Sequence, residues 1–301
     1  MREADASPDA PGTAGQRPGF DTSLPNIARV YDYLLGGKDN FTADRAAGDM
    51  VIAAYPGIVR GVKANRAFLG RAVRYLAGEA GVRQFLDVGP GLPTAGNTHE
   101  AAQSVAPASR VVYVDNDPVV LSHARALLRS SPQGTAAFVE ADVRDIGKIV
   151  AGAGQMLDFS EPVAIVMLAV LHFLPDDAVY DTVRALMAEV APGSFVAISH
   201  IAKDIEAESI AEIIRNSREG PQSAELYPRT RDEVTRLFAG LELVEPGVVT
   251  LQDWRPDSDL EARNQAAAWA GVARKPLSRW ASPARPDYGS GISCMNISDM
   301  A

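Results

Sequence analysis

The chain of 301 residues contains one cysteine, Cys294. That excludes an internal disulfide and any zinc site built from paired cysteines. Histidine is also scarce, with four in all. No His and carboxylate pair has the spacing of a known metal site, so no metal is expected. Basic residues are outnumbered, 29 Lys and Arg against 38 Asp and Glu, for a formal net charge of -9. Broad contact with nucleic acid or an anionic membrane needs clustered Lys and Arg to displace counterions, so neither is expected as a partner. Long apolar runs are missing. The longest, Pro162 to Leu171, is too short to span a bilayer and reads as a buried strand. The start, MREADASPDA, has no apolar segment that would serve as a signal peptide. There is no G-x-S-x-G elbow, which disfavours a serine hydrolase. These absences lead to the expectation of a cytoplasmic protein whose partner is a small molecule or another protein.

Hydrophobic residues make up 47% of the chain, enough for a sizeable core, and one large domain is expected. Residues 1 to about 20 are rich in Ala, Asp, Pro and Gly without hydrophobic period, and residues 276 to 301 look similar; both read as disordered tails. Between them, short apolar runs alternate with helix-like segments. The runs are QFLDV (84 to 88), RVVYV (110 to 114), AAFVE (136 to 140), VAIVML (163 to 168) and SFVAIS (194 to 199). They are apolar on both faces, as strands covered by helices on each side are. Asn97 with Glu100 forms a capping box, Pro118 opens PVVLSHARALL, and Asp176 opens a helix that stops before Pro192-Gly193. The alternation predicts an α/β fold with a parallel, doubly wound sheet and right-handed crossovers. In the last third, Thr230 and Glu233 form another capping box. LELVEPGVVTL and QAAAWAGVARK then read as two antiparallel strands at the sheet edge, making seven.

The first strand runs into FLDVGPGLPT (85 to 94). A dinucleotide fingerprint needs glycine at its first, third and sixth positions. Gly89 and Gly91 fill the first two, but Thr94 stands at the third, and the helix starts late, at Asn97. A pyrophosphate wants a helix N-terminus immediately beneath it, so the NAD reading is weakened twice. Asp87 makes the turn D-x-G-x-G, and a carboxylate there repels phosphate and attracts a cation. The second strand ends in Asp115, which could accept both ribose hydroxyls, and the third in Glu140-Ala141-Asp142, where Asp142 could accept an adenine amine. Ligands in open α/β sheets bind beyond the carboxyl ends of the strands, so these acids should converge. Each acid taken alone could equally be a turn or cap residue.

FLDVGPGLPT, VVYVDNDPVVLSHARALL and FVEADVRD together resemble the class I S-adenosylmethionine-dependent methyltransferases. From about Pro25 to Lys275 the chain resembles one family within that class, an actinobacterial S-adenosyl methyltransferase family of unassigned substrate. The residues that carry this likeness are ARVYDYLLGGKDNFTADR, LPTAGNTHE and DWRPD. The resemblance implies a Rossmann-like, seven-stranded, mostly parallel sheet in the order 3-2-1-4-5-7-6 with strand seven antiparallel. It implies S-adenosyl-L-methionine as cofactor, with Asp87, Gly89 and Gly91 around its methionine part, Asp115 on the ribose, Asn116 beside the adenine ring, and Asp142 with Val143 at the adenine. Pro162 departs from the wider class, where an acid often opens strand four. LAVLHF after that strand lacks the acid or amide followed by two prolines that amino-methylating DNA enzymes carry there.

The expected organisation is a tail (1–20), an N-terminal helical lid (21–80), the cofactor-binding domain (81–275) and a second tail (276–301). The lid's first helix is expected to open at Leu24-Pro25, with Ser23 a possible cap, and to end at Gly36-Gly37. Lys38, Asp39 and Asn40 then form either a capped, solvated turn or, as the resemblance suggests, part of the substrate site together with Tyr31 and Asp32. His172 and His200 follow strands four and five, so each is either a general base or a hydrogen-bonded structural histidine. His99 and His123 fall on helices and read as structural. Trp254 and Arg255 could give the substrate pocket an aromatic wall and a cation, whereas Trp269 and Trp280 read as packing residues. Arg60, Lys63, Arg66, Arg71 and Arg74 read as the solvated face of a helix. The leading expectation is methyl transfer to a small-molecule acceptor by in-line displacement. The alternatives are a non-catalytic sensor of the same cofactor or its product, and an NAD-dependent oxidoreductase.

Overall fold

The computed structural model describes residues 21–127, 130–219, 225–258 and 266–277. The expectations for 1–20 and for the tail beyond 277, including Trp280 and Cys294, lie outside the described residues. The apolar runs become strands within a residue or two of where the pattern put them: β1 (Gln84–Val88), β2 (Arg110–Asp115), β3 (Thr135–Glu140), β4 (Ala164–Leu168) and β5 (Phe195–Ile201). All of them pair in parallel, in the order β3-β2-β1-β4-β5.

Alternate residues of each strand face opposite sides, so every strand feeds two cores. Leu86, Val88, Val112, Val114, Ile165, Met167, Val196 and Ile198 join one core. It is closed by Ile149 of α6 (Ile146–Ala153), by Val179, Val183 and Leu186 of α7 (Asp176–Glu189), and by Val234 of α9 (Arg231–Arg236). Phe85, Val111, Tyr113, Ala164, Val166 and Ala197 join the other, under α3 (Ile58–Gly78) and α4 (Thr98–Val105). Phe68, Leu69, Ala72, Val73 and Leu76 recur along α3 at helical spacing and supply its buried stripe. Burying each such side chain contributes about 1.5 to 3 kcal/mol. The remaining crossover helices are α5 (Pro118–Leu127) and α8 (Ala207–Glu219).

The sheet edge departs from the expected seven strands. LELVEPGVVTL forms two short strands, β6 (Glu242–Leu243) and β7 (Val249–Thr250), each antiparallel to β8 (Ala268–Arg274). Pro246 has no N–H to give the ladder, and Gly247 sits at φ +85 between the pieces, so pairing breaks there. Among the described residues the sheet therefore has eight strands, ordered β3-β2-β1-β4-β5-β8-β6 with β7 also on β8. Taken as one interrupted strand, β6 and β7 restore the order that the resemblance implied.

Two helices, α1 (Ile27–Leu35) and α2 (Thr42–Ala54), precede α3 and pack on one another, with α1 also against α3. The expected start of α1 needs correction. Asn26 is its N-cap, its Oδ1 accepting from the N–H of Ala28 and Arg29, while the Ser23 hydroxyl donates to Asp21. The expected end holds, with Gly36 as C-cap at φ +83. Capping boxes form at Asn97 with Glu100 and at Thr230 with Glu233. The basic face of α3 is only partly solvated. Arg60, Lys63 and Arg74 are exposed, but Arg71 is buried, donating from Nε to the Trp254 carbonyl (3.0 Å) and from Nη2 to that of Leu251 (2.6 Å).

Candidate functional site

Because β1, β2 and β3 are parallel, their carboxyl ends open on one side of the sheet, and a cavity of about 370 Å³ lies there. Asp87, the fourth residue of β1, is 4% exposed and accepts a hydrogen bond from Thr98 Oγ1 at 2.5 Å. Burial pushes its carboxyl up to about 6, against a smaller lowering by the Thr98 hydrogen bond. Asp115 ends β2. Burial raises it too, opposed by the N–H groups of Asp117 (2.9 Å) and Gly91 (3.3 Å). Two carboxylates held against their preference for water make this end of the cavity a place where an incoming cation is stabilised.

The glycines make room for that ligand. Gly89 has φ +71, its N–H bonds the Val114 carbonyl, and a Cβ there would come within 2.5 Å of Val170 Cγ2. Gly91 has φ +67. Side chains rarely adopt such φ values, and only glycine does so without cost. The helix after the turn starts at Thr98, and neither Asn97 nor Thr98 lines the cavity. The N-terminus of the helix that follows the glycine turn, which a bound pyrophosphate would need, is therefore absent from its wall.

The structure brings Asp87, Gly89, Gly91, Asp115, Asn116, Asp142 and Val143 together on the wall of this one cavity. Asp142 is engaged by Arg144, whose Nε and Nη2 bond its two carboxylate oxygens at 2.8 and 2.7 Å. That pairing holds the Asp142 carboxyl below its usual range. Sequence reasoning missed Asn26, Asn65 and Arg66 on the same wall. An asparagine inside the apolar stripe of α3 was the available signal for Asn65. Arg66 is half-buried and donates from Nη2 to the carbonyls of Ala95 (3.2 Å) and Gly96 (2.9 Å), tying α3 to the glycine turn.

A second cavity, of about 140 Å³, adjoins the first and shares Ile27, Tyr31, Asn65, Ala169 and Phe173 with it. His172 and His200 both line it. The general-base reading of His200 is corrected by its partners. Nε2 accepts from Arg229 Nη1 at 2.8 Å and Nδ1 donates to the Ile201 carbonyl at 2.9 Å, so no lone pair is left for a substrate. Burial, with a smaller lowering from the Arg229 charge, pulls its pKa down to about 4. His172 is also buried and lowered well below the ordinary value, burial being the main cause.

Of the GGKDN candidates only Tyr31 reaches either cavity. Asp32 is buried at the centre of its own turn, where its Oδ2 accepts from the Asp39 N–H (2.9 Å) and Asn40 Nδ2 (2.8 Å). A side chain on Gly37 would collide with this carboxylate. Lys38 and Asp39 are exposed. The motif therefore folds the N-terminal helices around a buried acid, the capped-turn alternative. Trp254 and Arg255 line neither cavity. Trp254 is 0% exposed, packed edge-on against Phe68 and Tyr75, while Arg255 lies over the Tyr75 ring and bonds Glu79. His99 is buried on α4 with its Nδ1 2.7 Å from the Tyr113 hydroxyl. Among the described residues no helix is long and apolar enough to cross a membrane.

The sequence profile described as S-adenosyl methyltransferase matches residues 13–276. A DUF574 family protein from Streptomyces avermitilis is 42% identical, with a TM-score of 0.81 over 85% of this chain and 99% of that one. A candidate methyltransferase from Thermobifida fusca is 46% identical, with a TM-score of 0.79 over 86% of this chain and 98% of that one. No curated protein matches the chain.

Proposed function

The chain belongs to the S-adenosyl methyltransferase family and is an S-adenosylmethionine-dependent methyltransferase; from that premise we propose that it methylates a small-molecule acceptor by in-line displacement. The observation that carries this reading is the pair of cavities. One is walled by buried carboxylates, the other is apolar, and they meet at Tyr31, Asn65 and Ala169.

The residues fit the cofactor. It brings a sulfonium, an ammonium and a carboxylate but no phosphate, matching Asp87 and Asp115 at one end and the Arg66 guanidinium on the same wall. We assign Asp87, Gly89 and Gly91 to its methionine part, Asp115 to the ribose hydroxyls, Asn116 beside the adenine ring, and Asp142 with Val143 to the adenine. When bound, S-adenosylmethionine supplies an electrophilic methyl carbon whose bond to sulfur breaks, the pair staying on sulfur, as an acceptor lone pair bonds to it. The protein's part is placement. Most of the rate of such a displacement comes from holding the acceptor in line behind the breaking bond. In this reading residues 21–80 cover the site and keep water out, and residues 81–275 hold the donor. The cytoplasm, expected from the single cysteine, is the compartment we assign.

Calorimetric titration of the full chain with S-adenosylmethionine and, separately, with NAD tests the donor. Saturation by NAD alone would overturn it. Incubating the chain and methyl-labelled donor with cell extract tests the acceptor. Label is expected in the low-molecular-mass fraction. Label confined to macromolecules would refute a small-molecule acceptor, and tight donor binding with no label transferred would favour the sensor.

A further inference from the structure

Among the described residues the wall of the second cavity contains no Asp, Glu, Lys or Arg, in contrast to the cofactor cavity beside it, which has Asp87, Asp115, Arg66 and Arg144. Its lining is mainly Ile, Leu, Val, Ala, Phe and Tyr side chains. Its size, about 140 Å³, is that of a cavity which accommodates a single benzene ring, roughly 150 Å³. An ionised guest would have to leave water for a site with no countercharge, which costs several kcal/mol.

The polar groups on this wall already have partners, with one exception. Tyr31 Oη accepts from Asn65 Nδ2 at 2.9 Å, and Asn65 Oδ1 accepts from Ser199 Oγ at 2.6 Å. Tyr55 Oη accepts from the Ala267 N–H at 3.2 Å. His200 is engaged at both nitrogens. His172 is not: it is 4% exposed, and among the described residues neither ring nitrogen has a hydrogen-bond partner, Nδ1 being wholly sealed from solvent. A buried polar group without a partner needs an explanation; the sealed Nδ1 is out of a guest's reach, and Nε2 is the nitrogen that a ligand in the cavity His172 lines would meet.

We propose that the second cavity is the acceptor pocket and takes an uncharged body one ring wide with a single hydroxyl, a phenol or cyclic alcohol, which hydrogen-bonds His172. This rests on the methyltransferase reading above and adds the acceptor's class to it. Methylation at that hydroxyl forms a bond between oxygen and the methyl carbon and breaks the carbon–sulfur bond, whose electron pair stays on sulfur. The hydroxyl proton passes to the neutral imidazole of His172 and from there to water as product leaves. Oxygen loses its hold on the proton as the new bond forms, so a weak base is sufficient.

Three single-ring probes of one size test the charge rule by calorimetry on the full chain at neutral pH: phenol, benzoate and benzylamine. Phenol is expected to bind, and the anion and the cation to bind at least about tenfold more weakly, given the cost of burying an unpaired charge. Gly61 lies on the cavity wall, and a Cβ there would meet nothing closer than Ala266 Cβ at 3.8 Å. Gly61→Leu therefore suits the helix and fills the pocket. It should abolish phenol binding and leave the affinity for S-adenosylmethionine unchanged. His172→Phe keeps the ring and loses the nitrogen, so the preference for phenol over toluene should fall by roughly threefold to tenfold, the worth of one hydrogen bond. Equal binding of benzoate or benzylamine, or unchanged phenol binding in Gly61→Leu, would overturn the proposal. If phenol fails to bind wild type while S-adenosylmethionine does, the acceptor class falls and the methyltransferase reading stands. If the donor itself fails to bind, that reading falls first.

Discussion

Arg229 donates a hydrogen bond from Nη1 to Nε2 of His200 at 2.8 Å, deep enough that both residues are 1% exposed. A guanidinium has only donors, so His200 is fixed as a neutral acceptor there. Unfolded, this histidine charges near 6.5; folded, near 4. Between those values the unfolded chain binds more protons, so stability falls as pH drops from about 6.5 to about 4, at up to about 1.4 kcal/mol per pH unit, and is unaffected above 6.5. His172 adds in the same direction. His200→Gln, which can still accept from Arg229, should lose less stability than wild type when urea unfolding is compared at pH 7 and pH 5. Equal losses would contradict the assignment.

Asp87 has the opposite sign. Its folded pKa of about 6 lies above its unfolded 3.8, so the ligand-free protein loses stability as pH rises through that window. Asp87→Asn should stabilise the ligand-free chain at pH 7.5 by on the order of 1 to 3 kcal/mol in chemical unfolding. It should also weaken S-adenosylmethionine binding by about 2 kcal/mol in calorimetry, the scale of a hydrogen bond to a charged group. A variant that is no more stable would show that the carboxylate is not strained by burial.

Asp115→Ala removes the acceptor assigned to the ribose and also frees the N–H groups of Gly91 and Asp117. Donor affinity should fall by roughly 1 to 3 kcal/mol, the cost of leaving buried hydroxyls unpaired. Unchanged affinity in a folded variant would remove Asp115 from the ribose.

Gly89→Ala places a Cβ against Val170 and also imposes a left-handed conformation on a residue with a side chain. The clash is removable and the conformational cost, about 1 to 2 kcal/mol, is not. Thermal unfolding of Gly89→Ala and of Gly89→Ala with Val170→Ala should therefore show partial recovery in the double variant. Additive effects would mean that the two side chains do not meet.

The central strands were legible because runs such as AIVML are buried on both faces wherever the sheet is covered by helices, so the pattern depends on little beyond the strand itself. The three acids and two glycines were legible for a related reason: each sits at or within three residues of the carboxyl end of a strand, and parallel pairing brings those ends together. What failed depended on partners far off in the chain. Arg71 looks like one more cation on a basic helix, but it is buried and bonds the carbonyls of Leu251 and Trp254, about 180 positions on. Trp254 looks like a pocket wall next to Arg255 until Phe68 and Tyr75 close around it. For the GGKDN turn the sequence leaves a capped turn and a part of the substrate site both open, because nothing local shows that Asp32 turns inward to hold it.

The first helix is anchored at its very start. Asn26 Nδ2 bonds Asp117 Oδ2 at 2.8 Å across 91 positions, two residues past the acid assigned to the ribose. The next residue, Ile27, and Tyr31 one turn beyond it stand in the walls of both cavities. In the proposed reading those two side chains form a partition with a tenant on either side. Whatever one tenant's arrival does to the partition alters the other's affinity, and the same factor governs the exchange in both directions.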